Sequence, residues 1–138
     1  MSDNVEVKWI DSMAFEAEVS NHKIILDASE AVGGNDRGPR PKALTLASLG
    51  GCSGMDVISI LAKMRVVPEK FRMTITGDLS EEHPKVYNTI TIIYHFKGKD
   101  LPLDKLEKAV NLSQERYCGV SAMLGKSAKI IARIEVEE

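Results

Sequence analysis

Ala43-Leu44-Thr45-Leu46-Ala47-Ser48-Leu49-Gly50-Gly51-Cys52-Ser53-Gly54-Met55-Asp56-Val57-Ile58-Ser59-Ile60-Leu61 reads as a buried helix. At 100° per residue, Thr45, Ser48, Cys52, Asp56, Ser59 and Lys63 fall within about 40° of one line. Leu46, Val57, Leu61 and Met64 fall on the far side. A structural cysteine belongs among the leucines, whereas Cys52 lies on the single polar stripe of an oily helix. The second cysteine is Cys118, in Arg116-Tyr117-Cys118-Gly119-Val120-Ser121. Two thiols so far apart in sequence suggest a redox pair more than a metal cage.

The segments around this helix order themselves by pattern. Residues 5–10, 14–19 and 22–27 alternate as strands, with the turn pair Ser20-Asn21 between the second and third, giving an antiparallel meander. Residues 29–41 form a Gly- and Pro-rich loop, and Pro41 suits the first turn of the helix, which ends before Pro68. Strands follow over 70–77 and 86–96. A second helix starts near Pro102, with Leu103, Leu106, Val110, Ser113 and Tyr117 as its core-facing stripe. Gly119 and Gly125 bracket a short helical turn, and residues 128–136 form the last strand. The order βββαββαβ predicts an α+β fold in a single domain over residues 1–138.

Composition narrows the functions. The chain has 138 residues, of which 43% are hydrophobic and 28% charged, enough for a core and a polar surface. Its net charge of −2 gives no long-range pull toward nucleic acid or anionic membrane. Ser, Gly and Asp interrupt the Cys52 helix, so no apolar run is expected to reach the roughly 18 to 20 residues of a bilayer span. The acidic, alternating N-terminus is unlike a signal peptide, and a reducing cytoplasm is the expected compartment. The Gly51-Cys52-Ser53-Gly54 tetrad matches an RNA-binding G-x-x-G loop only superficially, because neither central residue is basic.

Gly50, Gly51 and Gly54 cost about 1 kcal/mol each in a helix interior. They mark either a kinked core helix or a close contact with another helix, including the same helix of a second subunit. A reactive thiolate needs a cation or hydrogen-bond donors. Arg37 and Arg40 are the candidate cations, lying on the loop and free to reach a partner's cysteine. Lys42 is ten residues before Cys52, about 15 Å along a straight helix. Asp56 either raises the thiol pKa, holds an arginine above it, or makes a hydrogen bond across a helix interface. His22, His83 and His95 lie in or between strands and no Cys or His pair has ligand spacing, so no metal site and no cofactor are expected. The residues alone leave two readings open: a redox pair, or two buried structural thiols.

The run from Pro41 to Cys52 leading into a long apolar helix, Cys118 followed three residues later by Ser121, and the order of elements resemble the OsmC/Ohr family of osmotically inducible and organic hydroperoxide resistance proteins. The resemblance covers essentially the whole chain. It implies an intertwined homodimer with sheets wrapped around central helices. It also implies Cys52 as peroxidatic nucleophile, Cys118 as resolving thiol, and an external dithiol as reductant. Two departures stand out. Gly119 occupies a position where the family usually has proline, and Lys42 replaces the carboxylate that orients an arginine over the nucleophile. The arginine candidates are Arg37 first and Arg40 second, and Asp56 is a substitute for the missing acid. The pattern Gly-Cys-Ser-Gly-Met-Asp points to a less-characterised OsmC-like branch. The resemblance therefore implies a hydroperoxide reductase in oxidative defence, with a non-catalytic dimer binding a small apolar ligand or a partner protein as the alternative.

Overall fold

The computed structural model describes residues 1–138, arranged as two compact units, Met1–Thr45 and Leu46–Glu138. The first holds an antiparallel sheet of β1 (Glu6–Asp11), β2 (Ala14–Val19) and β3 (His22–Leu26) in sequence order. The β2–β3 turn is the expected Ser20-Asn21, both with positive φ (50° and 65°). That is the two-residue geometry whose twist matches the flanking strands. Between β1 and β2 the register slips at Trp9/Asp11, and the Trp9 indole N–H donates to the Ser12 carbonyl at 2.9 Å.

The loop after β3 carries a 3-10 turn, Glu30–Val32, and is organised around one buried carboxylate. Asp27 is only 2% exposed and accepts from the backbone N–H of Ala28 (2.7 Å), Asn35 (3.2 Å) and Arg37 (3.2 Å) and from Arg37 Nε (3.2 Å). Burial alone would raise its pKa, but these donors outweigh burial and hold the carboxyl below its ordinary value.

The second unit contains most of α1 (Pro41–Lys63) and a sheet of β4 (Lys70–Leu79), β5 (Tyr87–Lys97) and β6 (Lys129–Glu137). Two further helices, α2 (Leu103–Leu112) and α3 (Gly119–Leu124), join β5 to β6. β5 is central, antiparallel to β4 and parallel to β6. Its period-2 burial of Ile90, Ile92, Tyr94 and Phe96 lines the core with Leu49, Val57 and Leu61 of α1 and Leu106 and Val110 of α2. Phe71 stacks on Phe96 at 4.7 Å between ring centroids. The α+β order expected from the sequence is present throughout.

Three expectations need correction. The α2 stripe keeps Leu106, Val110 and Ser113 inside, but Leu103 and Tyr117 are 52% and 54% exposed. After Leu112 the chain widens into a π-helical turn, Ser113–Tyr117, whose larger residue count per turn rotates Tyr117 off the stripe. Gly50 and Gly54 face β4, not another helix: a Cβ on Gly50 would lie 2.7 Å from Ile75 Cδ1 and one on Gly54 3.2 Å from Met73 Sδ. Finally, α1 is long and apolar enough, by length and composition, to cross a membrane. Only 28% of its most apolar window is buried within the chain, leaving Met55 and Ile58 exposed along one side.

Asp27→Ala should destabilise the chain by about 2–3 kcal/mol in urea unfolding, because three N–H donors and the Arg37 guanidinium lose a buried acceptor. Asp27 has a depressed folded pKa, so its contribution is present above the ordinary value of 3.8 and lost as pH falls through the folded one. The stability gap between wild type and Asp27→Ala should therefore narrow below about pH 4.

Candidate active site

Four segments of the second unit build one polar cluster inside an apolar core. Ser53 is wholly buried on α1, and its hydroxyl meets Tyr94 Oη of β5 at 2.6 Å and Ser113 Oγ at 2.8 Å. Ser113 Oγ donates to Asp56 Oδ2 at 3.0 Å. Gln114 Nε2 donates to Tyr94 Oη at 2.7 Å, and its Oε1 accepts from Ser121 Oγ at 2.6 Å. The direction of the chain follows from proton counting. With Ser113 donating to the carboxylate and Gln114 donating to Tyr94, the Tyr94 proton points to Ser53 and the Ser53 proton to Ser113. The series of hydroxyls is thus polarised toward Asp56. Burial raises the pKa of Tyr94, against the lowering effect of Ser53 and Gln114, so it serves as a neutral phenol.

The thiols lie at the end of this series. The sulfurs of Cys52 and Cys118 and a carboxylate oxygen of Asp56 are all within 4.8 Å of one another, and both cysteines are free. Cys118 gets there through the π-helical turn, closed by its N–H bonding the Ser113 carbonyl at 2.8 Å. It then caps α3, with Sγ accepting from the Ser121 N–H at 3.3 Å. Gly119 is the first residue of α3, the position a helix tolerates as proline. Cys118 is 3% exposed, whereas Cys52 is half-buried. Burial pushes the Cys118 thiol up to about 11, eased by the Ser121 N–H and reinforced by Cys52 and Asp56.

Of the residues singled out from sequence, Cys52, Cys118 and Asp56 come together. Of the three roles open to Asp56, it makes the hydrogen bond to a neighbouring helical segment and helps raise a thiol pKa, that of Cys118, while no arginine pairs with it. Arg37 and Arg40 are not free loop charges. Arg37 grips Asp11 and Asp27 in the first unit, while Arg40 Nη1 bonds Asp36 (2.7 Å) and the Gly38 carbonyl (2.9 Å). Lys42 is exposed in the first turn of α1. Ser53, Tyr94, Ser113 and Gln114 were not anticipated. The only available hint was a serine at the core-facing end of the α2 stripe, and that serine is Ser113. The expectation of no metal rested on spacing along the chain, and the fold assembles Cys52, Asp56 and Cys118 in spite of it.

In the reduced protein, iodoacetamide labelling of Cys118, followed by peptide mass mapping, should stay slow at pH 7–9 and rise through an apparent pKa near 11. Labelling that is half-maximal near the ordinary thiol value would show that burial does not hold the proton.

Residues 33–133 match the OsmC-like protein family. Over 131 residues the chain is 35% identical to protein YhfA of Escherichia coli K12, covering 94% of this chain and 95% of that one. A hypothetical protein from Aquifex aeolicus VF5 is 35% identical, with a TM-score of 0.84 over 100% of this chain and 99% of the other. An organic hydroperoxide resistance protein from Legionella pneumophila shares the fold at 16% identity, TM-score 0.71, covering 99% and 98% of the two chains. With its paired thiols set on that fold, the chain belongs to the OsmC-like family.

Proposed function

We propose that this protein is a cytoplasmic, thiol-dependent hydroperoxide reductase of oxidative defence, with Cys52 peroxidatic and Cys118 resolving. The observation that carries the reading is the approach of the two free sulfurs to within 4.8 Å of each other and of an Asp56 carboxylate oxygen. The Cys52 thiolate attacks the distal peroxide oxygen. The O–O bond breaks, the alkoxide takes a proton and leaves as alcohol, and Cys52 becomes a sulfenic acid. Cys118 then forms the S–S bond while the sulfenic oxygen leaves as water, carrying the thiol proton. Asp56, oriented by Ser113, is the acceptor through which that proton passes. An external dithiol reduces the disulfide and restores both thiols.

A thiol that stays protonated suits the resolving role, because it does not compete for the peroxide. Arg37, fixed by Asp11 and Asp27, is the first candidate for the activating cation, and Arg40 the second. Asp11 and Asp27 hold Arg37, and a carboxylate at the position of Lys42 would orient it further. The chain works as a homodimer, since Met55 and Ile58 lie on an apolar side of α1 that one chain leaves uncovered. A second reading, a dimer that binds a small apolar ligand, is favoured by one observation: an apolar hollow of about 630 Å³ in the first unit, lined by Val7, Met13, Phe15, Leu26, Val32 and Pro41.

Cys52→Ser should abolish peroxide consumption in a stopped-flow assay, while Cys118→Ser should complete one turnover and stall as a sulfenic acid trapped by dimedone. Full activity in Cys52→Ser would remove the enzyme reading and leave the ligand-binding one. Sedimentation should give a dimer at micromolar concentration, and Met55→Glu with Ile58→Glu should give a monomer. A wild-type mass of one chain at all concentrations would sink the dimer. Turnover should lie well below that of typical organic hydroperoxide reductases. Lys42→Glu should speed the first step if Arg37 or Arg40 activates Cys52, and no change would assign that role to another geometry.

A further inference from the structure

We propose that the reduced site is also a binding site for a thiophilic divalent cation, with Zn²⁺ as the best fit, held by Cys52 Sγ, Cys118 Sγ and an Asp56 carboxylate oxygen. Three atoms no more than 4.8 Å apart have a common point at most about 2.8 Å from each. Zinc sits about 2.3 Å from thiolate sulfur and about 2.0–2.2 Å from carboxylate oxygen, so an inward shift of roughly half an ångström per ligand closes the site. Two thiolates and one carboxylate favour zinc over the oxygen-seeking Mg²⁺ and Ca²⁺. Three protein ligands leave the fourth tetrahedral position for water.

Two features beyond proximity point to a cation. Asp56 is half-buried, yet none of the chain's ion pairs includes it, so its charge is uncompensated where the solvent is largely excluded. Its carboxylate is already oriented: Ser113 Oγ donates to Oδ2 and is itself fixed by Ser53. Zinc ligands usually have such outer partners, which set the direction of the carboxylate before metal arrives. The Ser121 N–H likewise fixes one lone pair of Cys118. As the cation enters, each thiol releases its proton to solvent, and no electron moves. Cation and peroxide then compete for the same sulfurs, so occupancy holds the dithiol in a reduced, unreactive form.

The test titrates the reduced full-length protein with Zn²⁺ against a chromophoric chelator, and with Co²⁺ to read thiolate ligation as a near-ultraviolet charge-transfer band. One equivalent per chain and a clear band are expected. Cys52→Ser and Cys118→Ser should each weaken binding by about 100-fold or more, and Asp56→Asn and Ser113→Ala by about 10- to 100-fold. Diamide oxidation of the wild-type protein should abolish binding without any substitution, and reduction should restore it. Sub-stoichiometric binding, no charge-transfer band, binding that survives oxidation, or Asp56→Asn affinity equal to wild type would each overturn the three-ligand site. Peroxide consumption is measured separately on chelator-treated protein. A failure there leaves the metal result standing, and the reverse holds equally.

Discussion

The hydroxyls of Ser53, Tyr94 and Ser113 are buried where water does not reach, and they are satisfied by one another, by Gln114, by Asp56 and by the Ser53 carbonyl. A buried hydroxyl left without a partner costs about 1–3 kcal/mol, so the three must meet or the core loses much of its small net stability. Their meeting fixes α1, β5 and the end of α2 against one another at a single point. Everything chemical about the second unit depends on that point. Ser113 is also the first residue of the π-helical turn, and the carbonyl that closes this turn is its own. Tethering Ser113 to Ser53 therefore delivers Cys118 opposite Cys52, which lies next to Ser53 on α1.

The same tether explains why the two thiols differ. Cys118 is enclosed, caps a helix of six residues and keeps its proton well above neutral pH. Cys52 sits in the same cluster but is only half-buried. An enclosed protonated thiol beside an accessible one is an ordered pair, in which the accessible sulfur meets an incoming oxidant first. Asp56 contributes to that order by disfavouring negative charge on Cys118 while accepting from Ser113. A charged carboxylate without a counter-cation is the least comfortable feature of the arrangement, and it makes the cluster receptive to a cation, whether from a side chain or from a metal.

Much of this was readable in the sequence, and the failures have physical causes. Strand and helix boundaries followed from local patterns: alternation in residues 14–19, the Ser20-Asn21 turn, Pro41 at the start of α1, and the two glycines around α3. The polar stripe through Cys52 and Asp56 was visible because helical periodicity is local. Ser53 was not, since a serine among leucines becomes a core residue only when Tyr94 and Ser113, 41 and 60 positions away, supply its partners. The ion pair of Arg37 with Asp11 was out of reach for the same reason, because the two lie 26 positions apart. The π-helical turn was invisible too: its cause is the pull of Ser113 and Cys118 into the cluster, and no residue in Ser113–Tyr117 announces it.

The apolar side of α1 and its polar side pose one problem. Along the polar side, Ser53, Cys52 and Asp56 are committed to a cluster whose hydrogen bonds gain strength as water is kept out. Along the other, Met55 and Ile58 remain exposed in a single chain, next to the same half-buried cysteine. Covering that side removes apolar area from water, at about 25 cal/mol per Å². It would also thin the water around Cys52 and lower the local dielectric. Each charge effect on the thiols, from Asp56, from an arginine or from a metal, then becomes larger than an isolated chain can make it. Association and reactivity are in this way coupled through one helix. The glycine at position 51, which has no atom within 4 Å of where a Cβ would stand, leaves room on that side for another backbone to come close.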